Sequence, residues 1–136
     1  MTLRKTNTMI AVTKDLGIWM DHENAFLTAF TEEPMSTSKL ESTFTHQDRK
    51  ASLTKGEHLA HHKEQHEQAS YNKQLGDMIL KFNRVVLFGP TDAKLELSNI
   101  LKVNHLFDKI KIEVMRSDKM TEKEQQLFVR NHFSLK

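Results

Sequence analysis

The sequence contains no cysteine, which excludes a disulfide framework, a thiol nucleophile, a thiolate zinc site and an iron–sulfur cluster. Glycine and proline are scarce as well: four and two residues in a chain of 136 are too few for a β-sandwich with many tight turns. No apolar run approaches the ~18 residues that a transmembrane helix requires. Residues 1–14 lack the apolar core of a secretory signal. We therefore expect a cytoplasmic protein with no membrane partner.

The charges are nearly balanced, and histidine is abundant. Twenty lysine and arginine residues face eighteen aspartate and glutamate residues, and the formal charge of +2 predicts no class of partner by itself. Hydrophobic residues make up 38% of the chain, enough for the core of one domain. Five of the eight histidines fall between His46 and His66.

A β-hairpin is predicted near the start of the chain. Two runs of β-forming residues, 16–20 and 25–30, flank a turn-prone stretch. Alternate residues of the first run share one face, and Trp19 takes the opposite one, so we expect both faces of the sheet to be at least partly covered. A third strand, at the edge of the sheet, is expected at 40–44.

Helices and strands alternate in the second half. A helix is predicted over 57–82, a buried strand at 85–88, a second helix after the turn at 89–92, and a strand at 109–115. A Thr-x-x-Glu capping box then opens a third helix. The residues expected on the buried faces of the three helices are, in order, Tyr71, Leu75, Met78, Ile79 and Phe82; Ala93, Leu97, Ile100 and Leu101; and Leu127, Phe128 and Phe133.

The element order β-β-(β)-α-β-α-β-α predicts a single α/β domain. Strands that alternate with helices imply a parallel portion with right-handed crossovers, and the hairpin implies an antiparallel portion. A mixed, roughly five-stranded sheet flanked by helices satisfies both. We expect residues 1–15 to form a flexible arm and residues 16–136 to form the domain, with a mobile loop near 34–56.

Three stretches together resemble one family. They are Gly-Ile-Trp-Met-Asp-His-Glu-Asn-Ala at 17–25, Leu-Phe-Gly-Pro-Thr-Asp-Ala-Lys-Leu-Glu-Leu at 87–97, and Ser-Asp-Lys-Met-Thr at 117–121. Over about 16–133, with 34–56 unmatched, the chain resembles small bacterial proteins related to the central domain of the archaeal and eukaryotic peptide-chain release factor and Pelota superfamily. The resemblance implies a mixed five-stranded sheet similar to ribonuclease H-like and ribosomal-protein topologies.

One hallmark of the release factors is missing. They carry a Gly-Gly-Gln tripeptide that enters the peptidyl-transferase centre of the ribosome, and this sequence has no Gly-Gly pair. We therefore expect no peptidyl-tRNA hydrolysis and no cofactor. The resemblance implies a non-enzymatic factor that associates with the ribosome or with structured RNA, either tRNA or rRNA, in ribosome rescue, stress or hibernation. A protein–protein interaction module is an alternative, and the oligomeric state stays open.

The histidine-rich half of the first predicted helix is a candidate RNA-binding site. His58, His62 and His66 follow one another at four-residue spacing and so line one helix face. Imidazoles stack on bases and, once protonated, contact phosphates; with Lys55 and Lys63 they would form a surface that strengthens below a pKa of ~6.5. Nearby glutamates oppose this hypothesis. The alternatives are a transition-metal site that uses two of the imidazoles and a solvated polar face.

Asp21 and His22 are a second candidate. An acid at the end of the first strand is where ribonuclease H-like nucleases hold a metal, so a metal-dependent hydrolase or nuclease that uses Asp21 and histidines is an alternative function. That chemistry needs several converging carboxylates, and the spacing of the other acids predicts no convergence. The favoured interpretation is a hairpin turn in which Asp21 bonds to its own backbone.

The turn at 89–94 and the basic residues of the second half complete the candidates. The turn follows a strand and opens a helix, but Pro90 removes a donor and no Gly-Lys-Thr is present, so it is not a phosphate-binding loop of the Walker type. We expect Thr91 or Asp92 to cap the helix. Lys111 is predicted to point outward from its strand. It would contribute to a modest basic face suited to rRNA or tRNA phosphates, with a mixed-charge solvated surface as the alternative.

Overall fold

The computed structural model describes residues 14–30, 37–42 and 57–134, and in the last range the side chains are described from Glu67 onward. The strands are β1 (Asp15–Met20), β2 (Asn24–Ala29), β3 (Thr37–Glu41), β4 (Arg84–Gly89) and β5 (Lys111–Arg116). The α-helices are α1 (Glu57–Ile79), α2 (Ala93–Lys102) and α3 (Glu122–Ser134), and a 3-10 helix (His105–Phe107) connects α2 to β5. The predicted flexible arm, up to residue 13, and most of the predicted loop at 34–56 lie outside the described residues.

The five strands form one mixed sheet in the order β3-β2-β1-β4-β5. β1 pairs antiparallel with β2, and β2 pairs antiparallel with β3. β1 pairs parallel with β4, and β4 pairs parallel with β5. The predicted fold class, a single α/β domain with a five-stranded mixed sheet flanked by helices, is confirmed. The edge strand lies at Thr37–Glu41, three residues before its expected start.

Helices cover both faces of the sheet, as the alternation in β1 predicts. On one face, Leu16, Ile18 and Met20 pack with the apolar stripes of α1 and α2. On the other face, Trp19 packs with Val129 and further residues of β4 and α3. This division follows from the two-residue period of a strand, which sends neighbouring side chains to opposite faces.

The predicted buried strand is confirmed in β4. Val85, Val86, Leu87 and Phe88 are each at most 1% exposed. β4 lies between β1 of the hairpin and β5, so partners bond it on both sides and helices cover it on both faces. A continuous apolar run is the composition expected for a strand in that position.

Two residues predicted for the core, Ile100 and Leu127, are exposed. The faces that α2 and α3 bury do not coincide with the apolar stripes read from the sequence. Ile100 is 48% exposed, and α2 buries Ser98 in addition to Leu97 and Leu101. Leu127 is 57% exposed. The buried residues of α3 are at four-residue spacing, and they are Gln125, Val129 and Phe133.

The capping box at the start of α3 is confirmed in both directions. The Thr121 N–H donates to Glu124 Oε1 at 2.8 Å, and the Glu124 N–H donates to Thr121 Oγ1 at 3.2 Å. This exchange satisfies two backbone donors that have no partner inside the helix. Among the described helices, none is long and apolar enough to cross a membrane.

Candidate nucleic-acid interface

The three stretches that carry the family resemblance meet at one edge of the sheet. Each includes or follows the carboxyl end of a parallel strand, β1, β4 or β5, and such ends lie at the same edge. The Ser117 N–H donates to Gly89 O at 3.1 Å, and the indole N–H of Trp19 donates to Asp118 O at 3.2 Å. These two bonds tie the segment after β5 to the ends of the other two strands. We call this end of the sheet, where the three parallel strands finish, the carboxyl edge; the term does not refer to the outermost strands β3 and β5.

Asp21 forms the hairpin turn at the carboxyl edge, as the favoured interpretation predicts. Its Oδ1 accepts from the N–H groups of Glu23 and Asn24 at 2.8 and 2.7 Å. The hydroxyl of Tyr71 in α1 donates to Asp21 O at 2.9 Å. Burial, followed by the negative charges of Asp21 and Glu23, raises the pKa of Tyr71 far above its ordinary value. The hydroxyl therefore keeps its proton and holds α1 to this turn.

The acids near Asp21 do not gather into a metal site in the described part of the chain. His22 Nε2 lies 3.1 Å from Glu96 Oε1, a contact between two partly exposed side chains. Among the residues whose side chains the structure describes, no three or more His, Asp or Glu side chains are placed to hold a metal ion. The α1 histidines of the metal hypothesis lie outside those residues.

The turn after β4 is closed by internal contacts. Gly89 has a φ of +147°, and a Cβ atom there would lie 2.2 Å from Met20 O, so the close approach of β1 requires glycine. Thr91 Oγ1 accepts from the N–H of Ala93 at 3.2 Å. The buried amine of Lys94 donates to Thr91 O. Thr91 therefore provides the side-chain cap. The Asp92 side chain makes no capping bond, so of the two expected candidates Thr91 is the one that caps the helix.

Helix α1 extends past the carboxyl edge. It runs opposite to β1, and Tyr71 is the point where it meets the end of that strand. The fourteen residues 57–70 come before that point, and at 1.5 Å per residue they reach about 20 Å beyond it. The positions of His58, His62 and His66 belong to these turns. Their side chains and that of Lys63 lie outside the described residues, as does Lys55.

Lys111 lies at the opposite end of the sheet, where the parallel strands begin, and we call this end the amino edge. It is the first residue of β5 and pairs in register with Arg84, the first residue of β4. Its amine is exposed and lies 3.9 Å from Glu113 Oε2. Six-residue strands separate the two edges by about 20 Å. The structure therefore does not bring Lys111 together with the histidine-bearing turns of α1.

No protein-family model and no curated protein matches the sequence. Solved structures with a similar fold include the Pelota protein of Thermoplasma acidophilum, with a TM-score of 0.58, 13% identity and coverage of 98% of this chain and 36% of that chain. Pelota of Archaeoglobus fulgidus is similar with a TM-score of 0.53, 10% identity and coverage of 96% and 34%. An archaeal translation termination factor, aRF1, gives a TM-score of 0.43, 14% identity and coverage of 90% and 40%.

The likeness to Pelota is one of fold. The chain spans about a third of the length of each Pelota chain, and nearly all of it is covered by the match. The five-stranded mixed sheet that the sequence resemblance implied is therefore present, in a fold similar to that of Pelota. The protein is a small α/β domain with a fold similar to one part of Pelota.

Proposed function

We propose that the protein is a non-enzymatic factor that acts in translation by associating with the ribosome or with structured RNA, either tRNA or rRNA. The role would be in ribosome rescue, stress or hibernation. The observation that carries the proposal is the fold, which is similar to Pelota over nearly the whole chain. The short motifs point to the release factor and Pelota superfamily from residue identities, and the backbone agrees with them.

The form of the molecule supports binding to a large partner. The described carboxyl edge is closed by hydrogen bonds between its own segments, and the Oδ1 atom of Asp21 accepts two of them. Beyond that edge, the backbone of α1 continues for about 20 Å. The proposed RNA-binding residues on and beside it are His58, His62, His66, Lys55 and Lys63, with Lys111 as a separate contact.

Sedimentation tests the association with ribosomes. Lysates from growing, starved and cold-treated cells are separated on sucrose gradients, with and without nuclease treatment, and the protein is detected by antibody. We expect it in ribosomal fractions under at least one condition, and we expect nuclease to release it. Absence from ribosomal fractions in all three conditions contradicts the proposal.

A histidine variant tests the proposed surface on α1. His58, His62 and His66 are replaced together by alanine, and His105→Ala serves as the control because its side chain is 97% exposed on the 3-10 helix. We expect the triple variant to lose affinity for ribosomal RNA while its melting temperature stays nearly unchanged. Wild-type affinity is expected to rise from about pH 7.5 to about pH 6 as imidazoles protonate. Equal binding by the triple variant and wild type contradicts this surface.

Chelation separates the metal alternative from RNA binding. If the α1 histidines hold a metal ion, a chelator lowers the melting temperature of the wild type and leaves that of the triple variant unchanged. We expect the chelator to change neither protein. A chelator effect confined to the wild type would replace the RNA interpretation of these histidines with a metal site.

A further inference from the structure

The amino edge of the sheet gathers lysines that are far apart in the sequence. The N–H of Asn83 donates to Lys14 O at 2.7 Å, and the N–H of Lys111 donates to Asn83 O at 3.0 Å. The backbones of Lys14, Asn83 and Lys111 therefore lie side by side. Lys81 is two residues before Asn83, and Lys109 is two residues before Lys111. The four lysines are exposed around one edge of the sheet.

The acidic side chains near this edge have contact partners of their own. Asp15 is 4% exposed and holds Arg84 in a two-bond ion pair at 2.5 and 2.7 Å. Glu113 lies 2.6 Å from His132 Nε2. The two most exposed acids near this edge are Asp77, one helical turn before Lys81 and 3.4 Å from Lys73, and Asp108, 3.2 Å from His105. By contrast, Lys14, Lys81 and Lys109 have no acidic partner within the described part of the chain.

The chemistry of the edge favours a phosphate backbone over a protein surface or unpaired bases. Protein interfaces are enriched in aromatic residues and depleted in lysine. Single-stranded nucleic acid is recognised largely by stacking on exposed aromatic rings. The aromatic side chains near this edge are buried or partly buried, and they are Phe82, Phe107 and Phe133. Exposed lysines without an exposed ring suit the phosphates of a helical RNA, which is recognised by shape.

We infer that the amino edge, formed by Lys14, Lys81, Lys109 and Lys111, binds the phosphate backbone of double-stranded RNA. The inference rests on the proposed function and adds a second contact surface to it. This surface faces away from the histidine-bearing turns of α1, with the length of the sheet between them. The protein therefore has two surfaces for one large RNA, and each can be removed without the other.

The test compares two variants with the same change in charge. In the first, Lys81, Lys109 and Lys111 are replaced by glutamine. In the control, the same replacement is made at Lys39, Lys119 and Lys123, which are exposed on β3, after β5 and at the start of α3. Both sets include one lysine in an exposed ion pair, Lys111 with Glu113 and Lys39 with Glu41.

Binding of the full-length proteins is measured against a labelled RNA duplex of about 16 base pairs, a span that duplex-binding domains cover, over a range of salt concentrations. We expect the amino-edge variant to bind at least tenfold more weakly than wild type. The slope of log affinity against log salt should become shallower by about one unit for each lysine that contacts a phosphate. The control should retain wild-type affinity and slope. Thermal unfolding of both variants shows whether each is folded.

Four results would overturn the inference. Equal losses in the two variants would show a response to net charge and no site at the amino edge. If the amino-edge variant binds the duplex as tightly as wild type, the inference is overturned and the proposed function stands. If the wild type binds neither the duplex nor ribosomes, both are overturned. Polyglutamate that displaces the duplex from wild type more effectively than unlabelled duplex does would assign the edge to an acidic protein.

Discussion

Gly17 in β1 lies directly beneath Val129 in α3. A Cβ atom at Gly17 would lie 2.2 Å from Val129 Cγ2, closer than two carbon atoms can approach without a shift of the helix. Val129 is fully buried, and it belongs to the apolar cluster that holds α3 against the sheet. The absence of a side chain at Gly17 therefore sets how closely α3 packs.

Replacing Gly17 by alanine should destabilise the protein by about 1–3 kcal/mol, the usual cost of an extra methyl group in a packed core. Val129→Ala removes both methyl groups, including Cγ2, which makes the closest contact, so the double variant should lose less stability than the sum of the single variants. Denaturant unfolding of the four proteins measures the coupling. Additive losses, with no coupling, would show that α3 does not pack on β1 through this pair.

Gly76 in α1 should respond in the opposite direction. A Cβ atom there would lie 3.4 Å from Phe107 and 3.5 Å from Leu101, which is close to ordinary contact. Alanine is preferred to glycine inside a helix by about 0.8–1.0 kcal/mol. We expect Gly76→Ala to raise the free energy of unfolding by up to about that amount. A loss of stability would show that α1 lies closer to α2 and the 3-10 helix than the structure places it.

Tyr71 should make the protein sensitive to alkali. Its pKa in the folded state is raised above the unfolded value, so the folded form keeps a proton that the unfolded chain loses. The stability linked to this group is present below about pH 10 and falls as the pH rises above it. Tyr71 is the single tyrosine of the chain, so the ultraviolet absorption of tyrosinate reports on it alone.

In a pH titration we expect tyrosinate to appear together with the loss of the folded circular dichroism signal. The control, Tyr71→Phe, removes the hydrogen bond to Asp21 O and should cost about 0.5–1.5 kcal/mol at neutral pH. Between about pH 9 and pH 11 it should lose less stability than wild type, because phenylalanine does not ionise. Tyrosinate formation near pH 10 in a fully folded protein would contradict the burial of this hydroxyl.

Val86→Asp should prevent folding. Val86 is fully buried in β4 between the two helical layers, and an unpaired charge there costs several kcal/mol. The control is Val103→Asp, because Val103 is 82% exposed at the end of α2 and its replacement should change the free energy of unfolding by less than about 0.5 kcal/mol. A soluble Val86→Asp protein that melts cooperatively would place the core elsewhere.

Local pattern was sufficient to predict the strands and α-helices in their order, although it misplaced β3 by three residues and did not predict the 3-10 helix. The period of two in β1 assigned Trp19 to the face opposite Ile18, and the apolar run of β4 predicted its burial. The capping box at Thr121 identified the start of α3. These features depend on contacts within a few residues or on the two-residue period of a strand, so they can be predicted from composition and spacing.

Which face of α2 and of α3 is buried depends on tertiary packing. In α2, the stem of Lys94 is buried because its amine reaches Thr91 O, and Ile100 borders a groove between α1 and α2. In α3, Gln125 is buried, and its amide N–H donates to Met120 O at 3.1 Å, while its Oε1 has no hydrogen-bond partner among the described residues. Hydropathy assigns such polar residues to the surface, and only the position of the acceptor carbonyl shows that their N–H donors keep a partner when they are buried.

The sequence by itself determined a mixed α/β sheet, its buried strand β4 and a helix rich in histidine. Tertiary structure alone decided which residues share a surface. Lys14 and Lys111 are almost a hundred residues apart, and they lie on either side of Asn83 because parallel strands bring their amino ends to one edge. The same topology separates Lys111 from the histidine-bearing turns of α1 by the length of the strands. Spacing along a chain does not encode such distances, since they depend on strand order and crossover direction.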